Sequence, residues 1–191
     1  MCKVIAISNQ KGGCRKTSVK RECREIYSMK VSDAITKMIL DGGGNEHDIN
    51  HFLKVWGFAR TIGEAEGLDE RTLKTLELAA VVHDIACPSL RKEYGNAPGS
   101  LQETAGPPLV REFFKDSGID EEMLERISFL VGHHHTFTGV DGLDYQILLE
   151  ADFLVNAGEH ENDRKAVSRF HKNVFRTKTG LELLEGIYMK T

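Results

Sequence analysis

His83-Asp84 closes a long apolar helical pattern in which Leu73, Leu76, Ala80 and His83 lie on one stripe. A histidine beside a carboxylate at the end of a buried stripe is equipped to hold something. The dipeptide alone means little in a chain with eight His. It gains meaning from His51 upstream and from His133-His134-His135 and Asp152 downstream. Most of these have an ordinary explanation when taken singly. His51 reads as a satisfied core histidine, His83-Asp84 as a helix C-terminus that favours a cation, and the triplet as a solvated helix end. Asp152 is harder to dismiss. It stands in a segment apolar nearly all round, between Leu148 and Val155 on its own face. A bare carboxylate there costs several kcal/mol unless it is paired or bound to a metal.

Together His51, His83, Asp84 and Asp152 offer a mixed nitrogen–oxygen shell. That set suits Mn, Fe, Ni, Co, Mg or Zn, and on a six-coordinate ion it leaves positions for water and substrate. A divalent ion so held makes hydroxide available near neutral pH and screens a phosphoryl oxygen, which are the needs of phosphoester hydrolysis.

The elements that must position these residues read as helices. Ser32 or Asp33 caps a short helix to about Leu40, broken by Gly42-Gly43-Gly44. A helix from about Glu46 to Glu66 carries Val55, Phe58 and Ile62 on one face, which His51 extends backward. Asp69 opens the next helix, and Pro88 forbids its continuation past His83-Asp84. Residues 88–102, rich in Gly, Pro, Ser and Asn, read as a substrate-contacting loop. Pro107-Pro108 starts another helix to about Asp116. Asp120 caps a helix whose apolar arc is Met123, Leu124, Ile127, Leu130 and Val131. At about 100° per residue, His134 falls near the centre of that arc and is the inward member of the triplet. Residues 136–142 read as a loop, about Asp144 to Gly158 as a buried helix around Asp152, and two amphipathic helices start near Asn162 and Thr179. From residue 29 onward the sequence predicts one all-α domain, 29–191.

Residues 1–28 differ in character. Val4-Ile-Ala-Ile7 leads into Lys11-Gly-Gly-Cys-Arg15-Lys16-Thr17, which resembles the deviant phosphate-binding loop of ParA/MinD-type partition ATPases. Arg15 stands where that loop has a glycine, and no doubly wound sheet follows. The stretch is read as a relic or foreign N-terminal segment rather than an ATP site.

The H…HD…D order, on an all-α scaffold, resembles the HD-domain phosphohydrolase superfamily over about residues 45–160, and Leu148-Leu-Glu-Ala-Asp152 is similar to its last motif. The resemblance implies that His51, His83, Asp84 and Asp152 are metal ligands. It also implies one tightly held divalent metal, since Leu101 to Gly106 lacks the His that two-metal relatives carry. His134 or His135 would then act on the substrate phosphate or leaving group, or hold a weak second ion. His83-Asp84 is followed by Ile-Ala-Cys87, where many relatives have a Lys or Glu. Arg91, Lys92 or Lys54 can supply the missing charge, and Glu103 is the candidate proton-transfer carboxylate beside Asp84.

Composition narrows the function classes. A net charge of -4 speaks against a nucleic-acid-coating protein and a polybasic membrane anchor. No apolar run approaches the ~20 residues of a membrane span. Four Cys without a CxxC spacing read as free thiols of a reducing cytoplasm. The expected function is cytoplasmic, metal-dependent hydrolysis of a small phosphorylated metabolite, a nucleotide foremost. The alternative is a non-catalytic, metal-containing module that senses a nucleotide. The oligomeric state is left open.

Overall fold

The computed structural model describes residues 28–41, 44–159 and 164–189. The glycine-rich opening of the chain lies outside them. The described residues form helices α1 (Val31–Asp41), α2 (Glu46–Ala65), α3 (Glu70–Val82), α4 (Cys87–Tyr94), α5 (Gly99–Phe113), α6 (Glu121–Val131), α7 (Leu143–Glu159), α8 (Arg164–Asn173) and α9 (Lys178–Tyr188), with no strand among them. None of these helices is long and apolar enough to cross a membrane.

Helix starts follow side-chain chemistry. Asn45 accepts from the amides of His47 and Asp48 at the head of α2. Asp69 does the same for Arg71 and Thr72 at α3, and Asp120 for Met123 at α6. Each satisfies amides that the first helical turn leaves without partners. At α1 the expected cap sits one turn in: Asp33 reaches back to accept from the Lys30 amide at 3.1 Å. α2 packs against both α3 and α7, so its buried face of His51, Phe52, Val55, Ala59 and Ile62 is enclosed from two sides. α7 is buried along almost its whole length and forms the axis of the bundle.

The structure corrects two expectations. Residues 88–102 are not a loop. α4 occupies Cys87–Tyr94 and α5 begins at Gly99. α3 has already ended at Val82, six residues before Pro88, and in the first turn of α4 the amide that proline lacks has no helical partner to lose. Nor does Pro107-Pro108 start a helix, for both prolines lie inside α5. They remove two donors from its ladder. Close packing on α6 holds it together: a Cβ at Gly106 would sit 2.7 Å from Val131 Cγ1, and one at Gly132 would sit 3.0 Å from Pro107 Cγ.

Candidate metal centre

Four segments deliver the chemistry. α2 brings His51, the turn after α3 brings His83 and Asp84, the turn after α6 brings His134 and His135, and α7 brings Asp152. Both turns are sharp because each helix ends before its histidines. His83 Nδ1 donates to Ala80 O at 2.8 Å, and His134 Nδ1 donates to Val131 O at 2.7 Å. His134 therefore faces inward as expected, but from a turn rather than from a continued helix.

These backbone bonds fix the tautomers. With Nδ1 as the donor, Nε2 of His83 and of His134 carries the lone pair. His51 is set the same way by a side chain: its Nδ1 lies 2.8 Å from Glu159 Oε2. The three Nε2 atoms converge on the carboxylates. His51 Nε2 is 3.2 Å from His83 Nε2, 3.3 Å from Asp152 Oδ1 and 3.6 Å from Asp84 Oδ2. His83 Nε2 is 3.5 Å from Asp152 Oδ1 and 3.7 Å from Asp84 Oδ2, and His134 Nε2 is 3.4 Å from Asp84 Oδ1. Asn156 donates to Asp152 Oδ1 at 2.8 Å from one turn further along α7.

Lone pairs and negative charges gathered this way repel one another unless a cation lies among them. The spacing suits a metal ion, since neighbouring donors on an ion with ~2.1 Å bonds stand roughly 3–3.4 Å apart. His134 Nε2 is fully buried and makes no hydrogen bond, as a ligand atom waiting for an ion would. Among the described residues, two groups of donor atoms are compact enough to hold one: His51, His83 and Asp84, and Asp84, His134 and His135, each within 4.8 Å. Asp84 belongs to both.

The electrostatics follow from this geometry. Burial pushes the Asp84 and Asp152 carboxyls up, yet the facing imidazoles pull both well below the usual carboxylate range. Burial works against charge on His51, but Asp152, Asp84 and Glu159 outweigh it and raise its pKa to about 9. His134 is raised too, its contact with Asp84 overcoming burial. His135 goes the other way. Burial, then the neighbouring His134, lowers it to about 4.

His135 has its own support. Gln102 donates through Nε2 to Ala97 O at 2.7 Å, which turns its Oε1 toward His135 Nε2 at 3.2 Å. His135 thus carries its proton on Nε2, the opposite tautomer to His134. Glu103 holds the same turn. Its Oε1 accepts from the His135 amide at 3.0 Å and from Thr136 Oγ1 at 2.9 Å, so this oxygen of the candidate proton-transfer carboxylate positions the turn. Tyr145 completes the clamp by donating to Thr136 O at 2.6 Å.

Glu159, Asn156 and Gln102 escaped the sequence reading. The first two had a legible signal, since Asp152, Asn156 and Glu159 follow the 3.6-residue repeat along one face of α7. Gln102 had none, because its role depends on how α5 meets the turn after α6. A larger open hollow lined by Phe137, Val140, Leu143 and Val174 shares no residue with the cluster. Size therefore does not mark the site, and convergent chemistry does.

The family model of the HD domain matches residues 48–169. No curated protein matches the chain. A crystal structure of a predicted HD superfamily hydrolase from an uncultured Thermotogales bacterium is similar in fold, with a TM-score of 0.59, 24% sequence identity and 83% of each chain covered.

Proposed function

The chain belongs to the HD-domain family, and on that premise we propose that it is a metal-dependent phosphohydrolase acting on a small phosphorylated metabolite, a nucleotide foremost. The observation that carries the reading is the convergence of three imidazole Nε2 atoms on two carboxylates, each imidazole having its Nδ1 already spent on a fixed acceptor. His51, His83, Asp84 and Asp152 would hold a divalent ion. Such an ion, when bound, lowers the pKa of water and screens the charge of a phosphoryl oxygen.

The chain's own residues would do the rest. Asp84 keeps 29% of its side chain exposed while the imidazoles beside it are buried, so water and substrate would approach over it. Its depressed pKa keeps it ionised, able to orient a water by accepting one of its hydrogens. His134 points its free Nε2 at the same place and would meet the phosphate or the leaving group, with His135 beside it. The buried walls of α2, α3 and α7 exclude competing water from the rest of the cluster.

Elemental analysis of the purified chain, followed by a phosphate-release screen over nucleotides and sugar phosphates with the metal found, tests the proposal. Turnover that Asp84→Ala reduces at least ~10²-fold is the expected result. Bound metal with no turnover of any phosphoester would instead favour the sensing module.

A further inference from the structure

We propose that Arg91, steadied by Asp48, is the cation that receives a phosphate group arriving over Asp84. The inference rests on reading the site as a phosphohydrolase centre. The open side of the cluster is the side of Asp84, which lines a narrow recess with Met38, Asn45, Asp48, Ile49, Phe52 and Pro88. Asp48 on its rim accepts a hydrogen bond from Arg91 Nη2. Arg91 lies one helical turn after Cys87 on α4, and Cys87 ties the two places together. Its thiol is buried close enough to feel the charges of Asp84, Arg91 and Asp48 alike.

Charge balance shows why a cation is needed there. Two carboxylates and a divalent ion are already balanced, so phosphate oxygens turned away from the ion need charge-assisted donors elsewhere. Lys54 is poorly placed to give it. Its Nζ lies 2.9 Å from Glu159 Oε1, on the Nδ1 side of His51 and away from the converging lone pairs. Lys92 follows Arg91 on α4 but is exposed and turned by about 100° around the helix. Arg91 alone of the three has its charge held at the rim that exposes Asp84. A guanidinium has five N–H donors in a planar fork, so one can stay on Asp48 while others take phosphate oxygens. Asp48 thereby fixes the fork in place before the ligand arrives, and less entropy is lost on binding.

Inorganic phosphate is the probe. It is titrated calorimetrically into the metal-loaded full chain for wild type, Arg91→Ala and Arg91→Lys, with metal affinity measured separately by chelator competition. The expected result is phosphate binding weakened about tenfold or more by the alanine and less by the lysine, which keeps the charge but loses the fork. Metal affinity should stay within about twofold, because Arg91 touches no metal-facing atom. Unchanged phosphate affinity in Arg91→Ala overturns the inference. So does a parallel loss of metal, which would make Arg91 a structural support, or a metal-loaded wild type that binds no phosphate. A chain that takes up no metal, or takes it up and cleaves no phosphoester, defeats the functional reading instead, so the two failures are distinguishable.

Discussion

Glu159 shows how much a single side chain outside the cluster can decide. It accepts from His51 Nδ1 at 2.8 Å and from Lys54 Nζ at 2.9 Å, which locks the imidazole with its Nε2 toward Asp152. Without that acceptor, His51 can take the other tautomer or rotate, and the lone pair is lost from the centre. Glu159→Ala should weaken metal binding about 10- to 100-fold, as removal of such supporting partners does elsewhere. Glu159→Gln retains an amide oxygen for Nδ1–H and should recover much of the loss. Chelator competition with the same metal measures both, and equal weakening in the two variants would show that charge rather than tautomer control is what Glu159 supplies. His83 and His134 need no such side chain, since backbone carbonyls do the same work for them. That difference also explains what sequence could reveal here. His51, His83, Asp84 and Asp152 were legible because their types are conspicuous in apolar helices. Backbone acceptors leave no trace in residue type, and Glu159 shows only its place on the Asp152 face of α7 until α2 is laid against it.

Among the elements, the helices around the cluster were the legible ones. α2, α3, α6 and α7 announce themselves by caps and by 3.6-residue periodicity, and the structure places them within a residue or two of expectation, except that α6 stops at Val131, short of His134. α4 and α5 were hidden by composition, because Gly, Pro, Ser and Asn signal turns only where no tertiary contact overrides them. α4 needs Pro88 in its first turn, and α5 tolerates two prolines because Gly106 and Gly132 let α6 approach so closely. A different device fastens the C-terminal helices. Glu150 on α7 is fully buried, and its Oε1 accepts from the amides of Arg176 at 2.6 Å and Thr177 at 3.0 Å, while Oε2 takes the Thr177 hydroxyl. This one carboxylate gathers the link between α8 and α9 onto the bundle axis. Glu150→Leu would leave those donors buried without acceptors and should destabilise the fold by about 3 kcal/mol, measured by urea unfolding. Asp152 lies on the same helix but serves the cluster, so at low denaturant the variant should still bind metal. Loss of less than about 0.5 kcal/mol would mean that water satisfies the link equally well.

At the scale of the whole molecule, metal and protons compete for one set of lone pairs, and stability should record the contest. In the metal-free chain the repulsion among converging donors is relieved by a proton on His51, whose pKa rises to about 9. A raised histidine stabilises the fold fully below its unfolded value near 6.5, and the benefit is lost as pH climbs through about 9. The depressed carboxyls of Asp84 and Asp152 act at the other end: their contribution is present above their ordinary range near 3.8 and lost as pH falls below it. The metal-free chain should therefore be most stable in between, at roughly pH 4–6.5. An ion must expel the His51 proton. About one proton should leave per ion near pH 7, so affinity strengthens with rising pH up to about 9. Because the ion would tie α2, the turn after α3 and α7 together, binding also stabilises the fold, by about 2.7 kcal/mol when free metal stands at 100 times Kd. Thermal melts with and without chelator across pH 5–9 should thus diverge as pH rises, the chelated protein losing stability while the loaded one holds it. Calorimetric titrations in two buffers of different ionisation enthalpy count the protons directly. Curves that stay parallel across that range, or an ion that binds without releasing a proton, would mean that His51 and His83 do not share their lone pairs with a single cation.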